Sequence, residues 1–109
     1  MGLVLSQLLW AYKESDLQKL LKTNRCEKCD LSGADLTWVD LNAANLWDAN
    51  LTKANLRGAN LYEANLSEAI LTKANLTDAT LTGANITRGR VSLNQPYLLP
   101  KGHPHYSAI

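Results

Sequence analysis

Residues 29–91 read CDLSG ADLTW VDLNA ANLWD ANLTK ANLRG ANLYE ANLSE AILTK ANLTD ATLTG ANITR GRV, a five-residue phrase repeated without insertion or deletion. The third position of every phrase is a branched aliphatic residue, and the first position is alanine in most phrases. The second position is mostly Asp or Asn, whereas the fourth and fifth positions vary freely. Two constant positions and two free ones predict that one part of each phrase is buried and the other faces solvent.

A period of five fits neither an α-helix nor a flat strand. A helix turns by about 100° per residue, so a step of five would spread the leucines around the whole cylinder. In a strand, an odd step would send successive leucines to opposite faces. The chain must therefore turn once per phrase, which predicts a solenoid of short extended sides joined by tight turns.

The repeat defines the predicted core. The leucine position fills the axis of the solenoid, where the burial of each side chain contributes roughly 1.5–3 kcal/mol. The small residue two positions earlier also points inward, and the Asp or Asn between them points outward, where it can hydrogen-bond the backbone of the turn. The predicted core residues are Leu31, Leu36, Leu41, Leu46, Leu51, Leu56, Leu61, Leu66, Leu71, Leu76, Leu81 and Ile86.

The phrases Ala-Asp-Leu-Thr-Trp, Ala-Asn-Leu-Arg-Gly and Ala-Asn-Leu-Tyr-Glu resemble the pentapeptide-repeat family, whose motif is Ala-Asp/Asn-Leu-X-X. The resemblance implies an all-β solenoid, a right-handed quadrilateral β-helix with four phrases per coil. It also implies a short member of cyanobacterial type with an N-terminal α-helical cap, and hence a cyanobacterial or similar bacterial source. The run of phrases makes about three coils at four phrases each. The departures at Val39, Ile70 and Thr80 should not break the coil, whereas Gly89-Arg90-Val91 is expected to be its fraying end.

Three segments are predicted: a helical cap over residues 1–25, the β-helix over 26–92 and a C-terminal tail over 93–109. Aliphatic residues spaced by three and four predict a helix over residues 3–12. A second helix should start at an N-cap, Ser15 or Asp16, and end before Thr23. Its apolar side, formed by Leu17, Leu20 and Leu21, is expected to cover the open end of the first coil. A partner-binding or membrane-surface role is the alternative, and it stays open chiefly for the first helix.

The two cysteines continue the repeat backwards. Cys26 falls in a leucine position and Cys29 in an alanine position, so both should point inward. They can pack as free thiols or join as a structural disulfide. A metal or redox centre is the alternative, but zinc takes four ligands and the other candidates, His103 and His105, lie far along the chain.

Composition excludes several classes of function. No catalytic group recurs in the repeats, so neither an enzyme nor a cofactor is expected. A formal net charge of +1 gives no overall attraction to nucleic acid or to an anionic membrane. No apolar run approaches the roughly 20 residues of a transmembrane helix, and the sequence shows no clear secretory signal. Together these two observations weakly favour the cytoplasm. A monomer is expected, with weak end-to-end association as the alternative.

The sequence thus predicts a small structural or interaction module that displays side chains on four flat faces to a protein partner. The resemblance offers an alternative, a DNA-mimic inhibitor or protector of a topoisomerase, which would require a long and strongly acidic rod. The candidate partner contacts are Trp47, Trp38 and Tyr62, all in outward positions. Trp47 ranks first, because Trp38 should be covered by its neighbours in the next coil. Its ring should lie over Gly58, and the guanidinium of Arg57 should form a cation–π pair with it.

Overall fold

The computed structural model describes residues 12–91. It begins with a helix, α1, at Glu14–Thr23. Between Arg25 and Arg90 the chain then forms parallel β-bridges, each of which pairs a residue with the one 20 positions later. The bridged pairs are Arg25–Asn45, Asp30–Asn50, Asp35–Asn55, Asp40–Asn60, Asn45–Asn65, Asn50–Ile70, Asn55–Asn75, Asn60–Thr80, Asn65–Asn85 and Ile70–Arg90. Four phrases therefore carry the chain once around the axis.

Each coil has four sides and four corners. A side is a single bridged residue, the second position of a phrase, and a corner is the four-residue turn that follows it. Corner 1 comprises residues 26–29, 46–49, 66–69 and 86–89; corner 2 comprises 31–34, 51–54 and 71–74; corner 3 comprises 36–39, 56–59 and 76–79; corner 4 comprises 41–44, 61–64 and 81–84.

Every corner closes with the same backbone geometry. The amide of its fourth residue donates to the carbonyl of its first, as Ala34 does to Leu31 at 3.0 Å. The third residue of every corner has a positive φ, for example 72° at Gly33 and 57° at Ala43. A positive φ at that position and not at the one before it defines a type II turn. This turn brings the next leucine back to the axis.

Hydrogen bonds between coils hold the corners in register. The amide of Leu31 donates to the carbonyl of Asn50, and the amide of Asn50 donates to the carbonyl of Cys29, both at 2.8 Å. The third residue of the corner adds another bond, from the amide of Gly33 to the carbonyl of Thr52. Since the short sides have no room for a longer ladder, these bonds repeat instead at every corner from residues 26–29 to residues 66–69.

The leucine column forms the core. The leucines at the repeat positions are between 0% and 3% exposed, and Ile86 is 7% exposed. The coil tolerates Ile70 and Thr80 on its sides, where both keep their bridges. The expected fraying at Gly89-Arg90 is wrong, because Arg90 bridges Ile70 and the Gly89 amide closes its corner on Ile86 at 2.9 Å.

Helix α1 packs on the first coil through one narrow face. Leu20 is fully buried and Leu17 is 9% exposed, but Leu21 is 45% exposed, so its predicted place in the apolar contact is wrong. At about 100° per residue, Leu21 lies a quarter-turn away from Leu20, beyond the edge of the contact.

Polar groups complete this contact. The Asp30 amide donates to Oδ2 of Asp16 at 2.8 Å, and the Lys13 amide donates to the Asp30 carbonyl at 3.1 Å. At the other end, Asn24 adopts the left-handed conformation, and its carbonyl accepts the Asn45 amide at 2.9 Å. The predicted N-cap and end of the helix are therefore wrong. Lys13 holds the N-cap position without a side-chain bond, and the Asp16 carboxylate serves the coil instead.

The predicted helix over residues 3–12 and the predicted tail over 93–109 lie outside the described residues, apart from Tyr12, which is buried. Within residues 12–91, no helix has the length and hydropathy needed to cross a bilayer.

The corner geometry predicts the effect of Ala43→Gly. Ala43 is exposed and holds a φ of 57°, a conformation that is unfavourable for a residue with a Cβ atom. Glycine removes that penalty and loses some backbone entropy, so we expect a net stabilisation of about 0.5–1 kcal/mol. Thermal unfolding followed by circular dichroism measures the change.

Asn42→Gly is the matched control, one position earlier in the same corner and outside the positive-φ set. It should destabilise the protein by roughly 0.5–1 kcal/mol, because glycine brings only its entropic cost there. Equal shifts in the two melting temperatures would contradict the type II assignment.

Candidate functional site

The outward Asp and Asn side chains hold the corners that follow them. Oδ1 of Asp35 accepts the Thr37 amide at 3.1 Å, and Oδ1 of Asn60 accepts the Tyr62 amide at 3.1 Å. The same bond, from the amide two residues later, recurs on all four sides. These are Asx-turns, in which a short side chain mimics one more backbone carbonyl. Most of the second-position side chains are thus structural.

Asp and Asn are distributed differently between coils. The first coil carries Asp on three sides, and the coil stacked on it carries Asn at each of those positions. At one of these stacked pairs the amide binds the carboxylate directly, since Nδ2 of Asn60 donates to Oδ1 of Asp40 at 3.1 Å. Two stacked carboxylates would have no such donor and would repel each other at the spacing of adjacent strands.

A disulfide joins Cys26 and Cys29 across the first corner 1. Cys26 is fully buried and Cys29 is 5% exposed, so the prediction that both point inward is confirmed. The sulfur of Cys26 also lies 3.2 Å from the carbonyl oxygen of Asp16 in α1. The cystine therefore fills a leucine and an alanine position directly beneath the helix.

Trp47 is packed between charged groups of two neighbouring coils. Nζ of Lys28, in the cystine loop, lies 5.2 Å from the centroid of the Trp47 ring. On the other side, Nε1 of Trp47 donates to Oε1 of Glu68 at 3.2 Å, and Glu68 in turn pairs with Arg88 at 3.4 Å. The ring is partly buried as a result, so the expectation that Trp47 is the less covered indole is wrong.

Trp38 is the more exposed indole, with 66% of its surface accessible. Its ring lies over Gly58 of the next coil, where a Cβ atom would come within 2.3 Å of the ring. The predicted packing on glycine is therefore present. The predicted cation–π pair with Arg57 is not observed; the guanidinium instead faces Asp78, at 3.8 Å between Nε and Oδ2. One face of the indole is held and the other is left to solvent.

Tyr62 is 40% exposed and lies on corner 4, one coil above Trp38 and one corner further along the chain. Among the described residues, Trp38 and Tyr62 are the exposed large aromatic side chains. Of the three predicted contacts, the structure thus leaves two accessible and packs the third.

Among the described residues, the pKa values of Asp35, Glu27 and Tyr12 are shifted by their surroundings. The hydrogen bond from the Thr37 hydroxyl, and to a smaller extent the one from the Thr37 amide, lowers the pKa of Asp35 below its ordinary value. The backbone amide of Glu27 similarly lowers the pKa of its own carboxyl group. Burial raises the pKa of the Tyr12 phenol, with smaller effects from Glu14 and Asp35. Within residues 12–91, no group of three or more metal-binding side chains is assembled. The two histidines, His103 and His105, lie outside the described part.

The geometry defines a structural repeat module of stacked pentapeptide corners. A sequence profile of the pentapeptide repeats matches residues 29–67 and 59–92, together more than half of the chain. The chain belongs to the pentapeptide repeat family, whose members form right-handed quadrilateral β-helices. No curated protein matches the chain.

Solved structures of the same family resemble it. The pentapeptide repeat protein Rfr23 from the cyanobacterium Cyanothece 51142 is 42% identical over 62% of this chain, with a TM-score of 0.61. HetL from the cyanobacterium Nostoc sp. strain PCC 7120, involved in regulation of heterocyst differentiation, is 37% identical over 61% of this chain, with a TM-score of 0.31. A pentapeptide repeat protein of the Arabidopsis thaliana thylakoid lumen is 30% identical over 65% of this chain, with a TM-score of 0.35. The matches cover 47%, 38% and 57% of those three chains, so this chain spans about half their length.

The stacked Asp–Asn pairs predict the effect of Asn60→Asp. The variant loses the amide donor to Asp40 and places two carboxylates on the same side in adjacent coils. We expect a destabilisation of about 1–2 kcal/mol at pH 7. The repulsion raises the pKa of one carboxyl group in the folded state, so the loss should shrink as the pH falls below that raised value. Urea unfolding at several pH values measures both effects.

Asn75→Asp is the control, because its neighbour in the coil below is Asn55 and not an aspartate. It keeps the acceptor for the Thr77 amide and should cost less than roughly 0.5 kcal/mol. If both variants lose the same stability with the same pH dependence, stacked charge is not the cause of the Asp-to-Asn change between coils.

Proposed function

We propose that this chain is a small non-enzymatic interaction module. In this proposal residues 1–25 form a helical cap, residues 26–92 form a β-helix of about three coils and residues 93–109 form a tail. The stacked corners provide a rigid frame, and the fourth and fifth positions of the phrases provide a surface whose side chains can change without loss of the fold.

The cap proposal is supported by the contact between α1 and the first coil. Leu17 and Leu20 bury their side chains against the leucine column, and Asp16 accepts the Asp30 amide, a donor of the first coil with no preceding coil to bind. A solenoid end without such cover would expose both apolar side chains and unpaired backbone groups.

The interaction proposal is carried by one observation, the exposed face of Trp38. The other face of its ring is fixed on Gly58, so the indole is already ordered before a partner arrives. Exposed and ordered aromatic side chains contribute disproportionately to protein interfaces. Tyr62 extends the same surface, whereas Trp47 is already engaged by Lys28 and Glu68. We therefore rank Trp38 first, Tyr62 second and Trp47 last.

No observation favours the alternative of a DNA mimic. Residues 25–90 carry eight acidic and seven basic side chains, so the solenoid surface does not reproduce the uniform negative charge of a duplex.

The proposal predicts that Trp38→Ala removes partner binding without damage to the fold. The side chain is 66% exposed, so the melting temperature should change by no more than a few degrees. Affinity capture from a cyanobacterial lysate, analysed by quantitative mass spectrometry, should show proteins that are enriched on the native chain and lost on Trp38→Ala.

Trp47→Ala is the matched control, since it removes the same side chain from a position packed within the solenoid. It should retain the captured proteins and instead lower the melting temperature. A capture set unaffected by Trp38→Ala, or lost only with Trp47→Ala, would refute the proposed contact surface.

A further inference from the structure

Charge is distributed unevenly around the solenoid. Corners 3 and 4, with the two sides that lead into them, carry four acidic side chains and one basic one: Asp35, Asp40, Glu63, Asp78 and Arg57. The rest of the solenoid between residues 25 and 90 carries six basic and four acidic side chains. We call the first of these surfaces the acidic half. Its net charge is −3, against +2 for the opposite half.

The exposed aromatic residues of the described solenoid lie on this acidic half. Trp38 is on corner 3 and Tyr62 is on corner 4. Asp35 and Asp40 occupy the two sides that meet at corner 3, so a carboxylate stands on the chain before the indole and another after it. The single basic residue, Arg57, is already paired with Asp78.

The local hydrogen bonds fix these carboxylates. Asp35 accepts the amide and hydroxyl of Thr37, and Asp40 accepts the amide of Asn42 and Nδ2 of Asn60. In each case these bonds go to Oδ1, and both side chains remain exposed. The acidic groups therefore keep fixed positions on the two sides that flank the corner of Trp38, and they keep their access to solvent.

We infer that the acidic half binds a basic segment of a partner protein, with an arginine or lysine side chain on the open face of Trp38 and its charge balanced by Asp35 and Asp40. This inference rests on the proposed interaction function and names its partner class. An indole face attracts a cation electrostatically, and flanking carboxylates add to that attraction. Each contribution is small at an exposed site, so affinity depends on their combination and on ionic strength.

Fluorescence anisotropy with a labelled Arg-Ser repeat peptide tests the inference, with a Glu-Ser repeat of the same length for comparison. The native chain should bind the basic peptide at low salt, and its affinity should fall by about tenfold or more on raising the salt from about 20 to about 300 mM. Trp38→Ala should weaken binding by at least about fivefold.

The double variant Asp35→Asn with Asp40→Asn isolates the charge. Asn is the usual residue at the equivalent positions of later coils and keeps the Oδ1 acceptors, so the fold should be retained. Binding should weaken by about three- to tenfold and lose most of its salt dependence. Asp30→Asn, the same substitution on the opposite half, should change the affinity by less than about twofold.

Several results would overturn the inference. The inference is wrong if the acidic and basic peptides bind equally well, or if the double variant and Asp30→Asn weaken binding by the same factor. It is also wrong if spermine, a cation that is not a peptide, binds with the same dependence on Trp38 as the basic peptide. If capture from lysate depends on Trp38 but the double variant does not reduce it, the proposed interaction function is retained and the inference of a basic partner is wrong. If capture does not depend on Trp38 at all, the proposed function itself fails.

Discussion

The type II turn at the end of each phrase is the constraint on which the rest of the structure depends. It requires a positive φ at one position of every corner, and residues as different as Trp38, Lys53 and Glu63 adopt it beside the three glycines. The chain accepts this local cost because each corner returns a leucine to the axis and aligns the backbone with the coil 20 residues away. A strand-forming sequence of the same composition would have no means of closing so short a side.

The turn also explains why compatibility between side chains is determined by residues 20 positions apart, which stack in a column, and not by residues within one phrase. Side chains at the same corner of successive coils stand above one another, so their compatibility decides what each column can carry. Asp40 is accepted because Asn60 can donate to it, and Trp38 is accepted because Gly58 leaves room for its ring. The surface that the solenoid presents therefore depends on pairs of stacked residues that no single phrase specifies.

The repeat was sufficient to predict the leucine core and the inward placement of Cys26 and Cys29, because each follows from position alone. The period of four phrases per coil was implied by the resemblance to the family, since a turn at every phrase does not by itself specify how many phrases close a coil. The surroundings of Trp47 could not be predicted in that way. Lys28, Trp47 and Glu68 are separated by 19 and 21 residues, so they meet diagonally between columns through long side chains whose directions the repeat does not specify. The face of α1 was predicted incompletely for a related reason. Apolar spacing placed Leu21 in the contact, but the contact covers only the narrow face of Leu17 and Leu20. The coil also binds the helix through Asp16 and Asn24, and apolar spacing does not predict such polar contacts.

The leucine position of the phrase points to the axis and the next position points to solvent. Comparing the unfolding of Leu56→Asp with that of Arg57→Asp tests this register. Leu56 is fully buried between the leucines of the coils on either side, and a carboxylate there would have no partner. We expect Leu56→Asp to lose more than about 4 kcal/mol of stability, enough to unfold the domain. For Arg57→Asp, at an exposed position, we expect a loss below about 1 kcal/mol, which includes the exposed pair with Asp78. Equal losses of stability for the two variants would contradict the register.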